Sequence, residues 1–383
     1  MENLFNYNWE LCKLGELIES FDSERIPIDS SLRISGQYPY YGATGIIDYI
    51  DSYIFDGEYV LLAEDGANII MRNYPVAYLT QGKFWLNNHA HIMRMVKGDN
   101  QFLVQILEKM NYSKYNTGTA QPKLNSNIVK RINLRVPIPE EQQKIGTLFK
   151  QLDDTITLHQ RKLDQLKELK KAYLKAMLIS MNTKNNKVPK LRFADFEGEW
   201  DQRKFKAFSK KTGKKNSQNL NYPAYSVSNK TGLISQSEQF DGNRLDTLEK
   251  LSYKIVKPYE FVYNPARINV GSIAFNTLGK PVIVSSLYVV LQMEDNLNND
   301  FILQFIKSPA FVREVKRNTE GSVREYLFYE NFANIKFPYT KNIKEQQKIG
   351  AFLKKIDDTI TLHQNKLTQL KSLKKSYLQN MFI

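Results

Sequence analysis

The sequence predicts an α+β protein in which two mixed, strand-rich domains are separated by two long helices, and three observations support this. A segment of 37 residues occurs twice, at 141–177 and 345–381, with 26 identities and a constant offset of 204. Apolar residues recur every three or four positions in both copies, which is typical of a long helix that packs against another helix. Outside the copies, aromatic and β-branched runs are broken by Gly, Asn and Pro, which indicates strands and turns.

Residues 1–140 form the first predicted strand-rich domain. The run GEYVLLAEDG at 57–66 reads as a strand that ends in a turn, and QFLVQILEKM at 101–110 reads as a short helix. This segment has 13 basic and 16 acidic side chains, a net charge of −3.

Each repeated segment is predicted to be a single helix, a central one at 141–180 and a C-terminal one at 345–383. Pro137 and Pro139 end the preceding strand and suit a helix start. A lone amphipathic helix cannot bury its apolar seam, so the simplest arrangement packs the two copies as an antiparallel coiled coil with pseudo-two-fold symmetry. The predicted helix-packing residues are Ile145, Phe149, Leu152, Ile156, Leu163, Leu166, Ile349, Leu353, Ile356, Ile360, Leu367 and Leu370.

Polar residues interrupt both seams at equivalent positions, His159 with Lys170 and His363 with Lys374. A polar residue at a seam position can fix the register of a helix pair. The alternative is that these side chains lie at the edge of the seam with their polar ends in water.

The second predicted strand-rich domain covers residues 187–344 and follows a polar linker at 181–190. Its strand-like runs are YEFVYNP and PVIVSSLYVVLQ, and DFILQFIKS at 300–308 reads as a short helix. Residues 181–344 carry a net charge of +10. The two domains share a Tyr-Pro-x-Tyr opening but little else, so they have diverged whereas the helices have not.

Composition narrows the class of protein. The chain has 383 residues, a net charge of +14 and one cysteine. The single cysteine excludes a disulfide framework and a multi-cysteine zinc site and is typical of a cytoplasmic protein. We find no apolar run of about 18 residues that could span a membrane, and no signal-peptide pattern. The basic excess favours a nucleic-acid partner.

Motifs for catalysis are missing from the sequence. There is no G-x-x-x-x-G-K-[ST] phosphate loop and no Gly-rich cofactor fingerprint. The segment 264–267 does not complete the Asn-Pro-Pro-aromatic pattern of adenine methyltransferases. His89 and His91 are predicted to pack in a strand rather than to bind metal, and Asp65 to form a turn with Gly66. We therefore predict neither a catalytic residue nor a metal site.

The sequence resembles the specificity (S) subunits of type I restriction–modification systems. The resemblance is carried by the paired EQQKIG and DDTITLHQ motifs, the INLRVPIP segment before the first helix, and the Tyr-Pro-x-Tyr openings. It implies that each strand-rich block is a target recognition domain that reads one half of a bipartite sequence in double-stranded DNA. It also implies that helix length sets the gap between the halves.

The same resemblance implies a non-catalytic subunit with no cofactor of its own. Two modification (methyltransferase) subunits would bind it and methylate adenine with S-adenosylmethionine, and restriction subunits would add translocation and cleavage with ATP and Mg. Two alternatives are a recognition polypeptide with a cryptic nuclease or methyltransferase site, and a coiled-coil scaffold without a role on DNA.

Candidate DNA contacts lie in loops where polar donors stand beside glycines. Arg and Lys suit guanine, and Asn and Gln suit adenine, which favours Gln121, Lys123, Arg267 and Asn269 as base-reading residues. The alternative is that these are ordinary polar turns, and a lysine cluster at 210–215 either holds phosphate or solvates a loop. The full set of predicted DNA-binding residues is Tyr41, Gly42, Thr44, Asn68, Lys83, Thr117, Thr119, Gln121, Lys123, Ser228, Asn229, Lys230, Asn264, Arg267, Asn269, Lys280, Arg317, Ser322 and Arg324.

Overall fold

A computed structural model of the chain describes residues 9–178, 187–229, 232–236, 250–319 and 326–382. The chain forms two compact units. Unit 1 comprises Met1–Arg161 with Gln364–Ile383, and unit 2 comprises Lys162–His363. Each unit therefore combines one strand-rich block with one half of each repeated helix, and the division between the units falls within the helices.

Unit 1 contains two four-stranded sheets and a two-stranded ribbon. Its strands are β1 (Glu10–Lys13), β2 (Ile18–Ser20), β3 (Ser35–Gly42), β4 (Gly45–Ile50), β5 (Phe55–Asp56), β6 (Tyr59–Ala63), β7 (Ala77–Thr80), β8 (Lys83–Leu86), β9 (Ala90–Met95) and β10 (Asn133–Val136). Its short helices are α1 (Leu14–Leu17), α2 (Asn68–Met71), α3 (Asn100–Lys109) and α4 (Ser126–Lys130). The sheet orders are β2-β9-β6-β7 and β4-β3-β8-β5, and β1 pairs with β10. Helix α3 packs on β6 and β7.

The long helix α5 (Pro139–Met177) follows β10, and the second block then begins. The strands of that block are β11 (Asp201–Lys204), β12 (Ser209–Lys211), β13 (Tyr225–Ser228), β14 (Gly232–Ser235), β15 (Lys254–Val256), β16 (Phe261–Tyr263), β17 (Ile273–Phe275), β18 (Val282–Val284), β19 (Val289–Met293) and β20 (Lys336–Tyr339). Its helices are α6 (Asn299–Ile306), α7 (Pro309–Asn318) and α8 (Tyr329–Asn334), and the long helix α9 (Ile343–Met381) comes last.

The two blocks share one topology although their sequences hardly align. The order β12-β19-β16-β17 repeats β2-β9-β6-β7, and the ribbon of β11 and β20 repeats that of β1 and β10. In unit 2 the pairs β13–β14 and β15–β18 are joined by a parallel bridge between Ala224 and Ile283, as β3 and β8 are parallel in unit 1. The apolar run 281–292 is split by a turn into β18 and β19, which belong to different sheets.

The long helices bury the predicted seam within each unit. In unit 1 the Phe149 ring lies 5.8 Å from that of Phe382, and in unit 2 the Tyr173 ring lies 4.9 Å from that of Phe352. Early residues of one helix thus face late residues of the other, so the helix halves run antiparallel. The buried seam residues are Ile145, Phe149, Leu152, Leu163, Ile349, Leu353, Ile356, Leu367 and Leu370, and the half-buried ones are Ile156, Leu166 and Ile360.

Two equivalent ion pairs cross this seam. In unit 1 the Lys374 Nζ lies 2.6 Å from Asp153 Oδ1, and in unit 2 the Lys170 Nζ lies 2.6 Å from Asp357 Oδ1. Both lysines and both aspartates occupy repeated positions, 204 apart. An ion pair at a seam fixes the register of two helices. The alternative of lysines with their ends in water is therefore wrong for both.

The EQQKIG motif joins the first helix to its own block. Glu141 Oε1 accepts a hydrogen bond from Trp9 Nε1 at 3.3 Å. Gln142 Oε1 accepts from the backbone N–H of Asp99 at 3.3 Å, and Asp99 in turn caps α3. Gly146 lets this end of α3 approach closely, because a Cβ there would lie 1.9 Å from Asp99 Oδ1. The repeated motif thus encodes a joint between helix and block.

The same joint recurs in unit 2. Glu345 is fully buried and accepts from Trp200 Nε1 at 3.2 Å, and Arg192 Nε lies 2.7 Å from its Oε1. Gln346 Oε1 accepts from the backbone N–H of Asn298 at 2.8 Å, and Asn298 caps α6. Because the contacts are equivalent in the two units, the identity of the motif has a structural cause.

Replacing either glycine of the joint is expected to destabilise its unit. A Cβ at Gly350 would lie 2.7 Å from the backbone N of Phe301, and the clash at Gly146 is tighter. We expect Gly146→Ala and Gly350→Ala each to lower the free energy of unfolding by about 1–3 kcal/mol, measured by urea denaturation, because overpacking forces the backbone apart. Thr147→Ala, at an exposed site one residue away, is the matched control and should change it by less than about 0.5 kcal/mol. If Thr147→Ala lowered the free energy of unfolding as much as the glycine variants do, the close-approach explanation would be wrong.

Candidate nucleic-acid interface

Four candidate residues of unit 1 lie on one closed loop at 116–123. Asn116 Oδ1 accepts from the backbone N–H of Gly118 at 2.9 Å and of Lys123 at 2.8 Å, so the loop is held at both ends. A Cβ at Gly118 would lie 1.8 Å from Gln121 O, so only glycine fits this turn. The four side chains are exposed, namely Thr117, Thr119, Gln121 and Lys123.

This loop packs against the turn that follows β6. The backbone N–H of Gly66 donates to Pro122 O at 3.0 Å, and that of Leu124 donates to Glu64 O at 2.7 Å. The Lys123 Nζ lies 3.5 Å from Glu64 Oε1. The loop and the turn therefore form one surface, with amide and ammonium donors that can contact base edges.

Asn68, on the same turn, has partners within its own loop. Its Oδ1 accepts from Tyr74 N at 2.8 Å, and its Nδ2 donates to Tyr74 O at 3.0 Å. These bonds support the segment 68–74, as in an ordinary polar turn.

A second group of candidates lies on the other sheet of unit 1. Thr44 is exposed at the turn between β3 and β4, whereas Gly42 is buried and its carbonyl accepts from the hydroxyl of Tyr78. Tyr41 is half-buried, with its ring 5.5 Å from that of Phe84. Lys83 is exposed in β8, and its Nζ lies 4.6 Å from the centre of the Tyr53 ring. Thr44 and Lys83 are therefore the accessible members of this group.

In unit 2 the end of β13 lies beside the loop 264–271. Ser228 is the last residue of β13 and Asn229 follows it, and a Cβ at Gly271 would lie 4.0 Å from that of Asn229. Asn264 Oδ1 accepts from the N–H of Ala266 at 3.0 Å, which shapes the loop. Arg267 is exposed and Asn269 is half-buried on this loop. Ser228 and Asn229 line a cavity of about 290 Å³, and Asn229 lies beside the loop that carries Arg267 and Asn269.

The remaining candidates of unit 2 lie elsewhere. Lys280 is exposed in the turn before β18. Arg317 lies on α7, and its Nη1 is 2.7 Å from Glu314 Oε1 on the same helix. Lys230, Ser322 and Arg324 lie outside the described residues.

The lysine cluster of unit 2 extends to a residue that sequence reasoning missed. Lys254, on β15, pairs with Lys215 across an isolated bridge, although 39 residues separate them in the chain. Burial, with the charges of Lys211 and Lys215, lowers the pKa of the Lys254 ammonium. Three cations crowded in this way create a positive potential of the kind that phosphate oxygens neutralise. Lys210 and Lys214 are exposed on the same segment.

His89 and His91 in unit 1 have separate partners, and the prediction that both pack in one strand is wrong for His89. His89 precedes β9, is exposed, and its Nδ1 lies 2.8 Å from Asp65 Oδ2. His91 is buried within β9, and its Nδ1 lies 2.7 Å from Asp22 Oδ2. The strand begins one residue later than the alternation suggests. Among the described residues, no group of His, Cys, Asp and Glu could hold a metal ion.

A family model of the type I restriction modification DNA specificity domain matches residues 6–168 and 199–372. The two matches cover both blocks and most of both long helices. The chain belongs to this family. The two matches correspond to the two-fold repeat of block and helix in the structure.

Two individual members illustrate the range of similarity. A putative type I restriction enzyme specificity subunit from Haemophilus influenzae is 38% identical over 133 residues, which is 34% of this chain and 34% of that protein. A putative type I specificity subunit from Mycoplasma pneumoniae is 24% identical over 83% of this chain and 81% of that protein. The chain thus spans about a third of the length of the Haemophilus relative and most of the Mycoplasma one.

The fold is also that of a solved family member. The crystal structure of the type I restriction-modification system S subunit from M. genitalium superposes with a TM-score of 0.71, at 14% identity, over 99% of this chain and 98% of that one. In the described part of our chain, no helix combines the length and the apolar character needed to cross a membrane.

Proposed function

We propose that this chain is the non-catalytic, sequence-specific DNA-binding subunit of a type I restriction–modification complex. Each block reads one half of a bipartite target, and the helices set the gap and dock two modification subunits. One observation carries the proposal. The two blocks share a topology but differ in their loops, whereas the two long helices are nearly identical in sequence. Two different recognition domains on the same helical scaffold suit an asymmetric target sequence in two parts.

The loops provide donors that suit bases, and the lysines provide charges that suit phosphates. In unit 1 we assign base contacts to Gln121 and Lys123, which are exposed on one closed loop. In unit 2 we assign them to Asn229 and Arg267, which are exposed on neighbouring segments. Bidentate contacts of this kind discriminate each base pair by about 1–3 kcal/mol. Lys254 and its neighbours contribute phosphate contacts, which position the protein without reading sequence.

Exposed leucines at repeated positions support docking of two copies of one partner. Leu158 and Leu362 are 66% and 68% exposed, and Leu169 and Leu373 are 45% and 40% exposed. Each pair is related by the offset of 204, whereas exposed neighbours such as 161 and 365 differ. Single exposed leucines are ordinary on a protein surface, but their recurrence at equivalent positions of the repeat supports a repeated interface. Two equivalent surfaces fit the two modification subunits, which supply S-adenosylmethionine chemistry, while restriction subunits supply ATP- and Mg-dependent steps.

Charged replacements of these leucines are expected to weaken the methyltransferase complex. We expect the double variant Leu158→Glu, Leu362→Glu to bind modification subunits at least tenfold more weakly, because each replacement places a charge in an apolar interface at a cost of roughly 1–3 kcal/mol. The measurement is titration of the chain with modification subunits, followed by sedimentation. Thr147→Glu with Ala351→Glu, both exposed on the same helices, is the control. Unchanged assembly in the leucine variant would place the docking surface elsewhere.

Salt-dependent binding of duplex DNA tests the proposed function against its alternatives. We expect the chain with its modification subunits to bind its methylated target sequence with an affinity that falls steeply between about 50 and 200 mM salt. A pure scaffold would show no such binding. The isolated chain, incubated with DNA, Mg and S-adenosylmethionine, should neither cleave nor methylate, and turnover would instead identify a cryptic enzyme.

A further inference from the structure

The side chain of His91 lies between two oxygen acceptors inside unit 1. It is 1% exposed, on β9. Its Nδ1 lies 2.7 Å from Asp22 Oδ2, and its Nε2 lies 2.7 Å from the backbone oxygen of Leu124. A neutral imidazole carries one N–H and could donate to only one of these oxygens, whereas the doubly protonated ring donates to both. The geometry therefore favours the imidazolium.

Charged groups from each neighbouring segment surround this ring. The Oδ1 atom of Asp22 accepts from the backbone N–H of Ile92 at 2.9 Å. Glu64 Oε2 lies 3.7 Å from His91 Nδ1 and 2.6 Å from Arg25 Nη1. Arg25 also donates to Ala90 O at 2.7 Å, while Lys123 faces the other oxygen of Glu64. Further out, His89 pairs with Asp65. Two carboxylates adjoin the ring itself, so a positive charge on it is compensated.

Leu124 ends the loop 116–123 and is held from both sides. Its backbone N–H donates to Glu64 O at 2.7 Å, and its carbonyl accepts from His91. The side chain of Leu124 is fully buried. The contact with His91 therefore joins a side chain of β9 to the backbone at the base of this loop, and such a bond is roughly twice as strong when the donor is charged as when it is neutral.

We propose that His91 is a positioning residue for the DNA-reading loop of the first block, and that it acts as an imidazolium that bridges Asp22 and the carbonyl of Leu124. This inference rests on the proposed function, since it concerns the same loop. Neither Asp22 nor Leu124 is near His91 in sequence, so no local motif marks the bridge.

The ionised state of Asp22 supports the bridge. Burial raises the pKa of Asp22, but the hydrogen bond and charge of His91, the amide of Ile92 and the charge of Arg25 together lower it below its ordinary value. Asp22 therefore stays ionised and accepts from His91 Nδ1, while His91 Nε2 faces the oxygen of Leu124. Without the bridge, Leu124 keeps the bond from its N–H to Glu64 O but loses the side-chain contact to its carbonyl.

The affinity for the first half of the target should consequently fall when His91→Gln removes the bridge. We expect the full variant chain with its modification subunits to lose roughly tenfold affinity for the target, the size of one lost charge-assisted hydrogen bond. The experiment uses the complete target and two duplexes with one half scrambled each. The loss should persist when the second half is scrambled and vanish when the first half is scrambled. An unchanged affinity, or an equal loss with either duplex, would overturn the proposal.

His91→Gln and a spectroscopic measurement make the test specific. The His91→Gln variant should bind the first half weakly, whereas His89→Gln, at the exposed neighbour, should keep the wild-type affinity. The chain has four histidines, so ring nitrogens can be resolved by NMR on ¹⁵N-histidine-labelled wild-type chain even if the variant fails to fold. Two protonated nitrogens on His91 at neutral pH support the inference, and one protonated nitrogen refutes it. If the wild-type complex discriminates neither half at any pH, the proposed function fails, whatever the state of His91.

Discussion

Exchanging residues 1–140 for the first block of a related subunit is expected to change one half of the methylated sequence and leave the other half intact. The loop 116–123 and the turn beside it lie wholly within the exchanged segment, whereas Asn229 and Arg267 belong to unit 2. A mismatch costs about 1–3 kcal/mol per base pair, so three altered positions shift the preference on the order of a hundred-fold or more. Methylome sequencing of cells that carry the hybrid subunit measures the outcome.

The graft needs the contacts of the joint to remain. The hybrid should keep three residues of the first block that form hydrogen bonds to the first long helix. These are Trp9 to Glu141, Asp99 to Gln142, and Gln105 to Asp153. Exchange of the second block, with its own joint preserved, is the reciprocal control and should alter only the other half. If a hybrid changed both halves of the methylated sequence at once, the hypothesis that each block recognises one half would be wrong.

Lengthening both long helices by one heptad is expected to widen the gap between the two halves by about three base pairs. Seven residues add roughly 10.5 Å of helix, and B-DNA rises about 3.4 Å per base pair. The insertions belong between Asp153 and Lys170 in the first helix, and between Asp357 and Lys374 in the second. Both ion pairs across the seam then keep their partners, because each joins residues at one end of the inserted segments.

Matched insertions of four residues provide the control. Four residues add slightly more than one helical turn and do not complete a heptad, so the apolar residues after the insertion are rotated away from the interface. We therefore expect a lower melting temperature. The heptad variant should instead melt near the wild-type temperature. A stable heptad variant whose methylated sequence kept its original gap would show that helix length does not set the spacing.

The long helices were predictable because their signal is local and repeated. A 3.5-residue period places Phe149 and Leu353 in the seam without knowledge of the rest of the chain, and both are fully buried. The period does not show what Lys170 contacts, because Asp357 lies beside the seam rather than in it. The role of Gly146 was likewise hidden, since a close approach depends on α3, far away in sequence.

The recognition loops were only partly predictable. Glycines and polar residues mark turns correctly at 116–123 and 264–271, because turn chemistry is local. Sequence does not reveal which polar atoms already have partners within the protein. Asn68 bonds to its own loop and Arg317 to Glu314, whereas Gln121 and Arg267 remain exposed. The bridge at His91 depends on tertiary contacts and has no local signature.

The composition of unit 1 has a consequence for the order in which the chain folds during synthesis. Phe382 is buried in the unit 1 core, with its ring 6.0 Å from Trp9 and 5.5 Å from Phe102. The first block emerges from the ribosome early, yet Phe382, which helps to close its core, is translated after the whole second block. Such long-range closure is slow, and the open apolar surface is prone to aggregation in the meantime. Unit 2 is formed by one continuous segment of the chain, Lys162–His363, so its core can be completed first. Unit 1, whose first block is synthesised earlier, completes its core later.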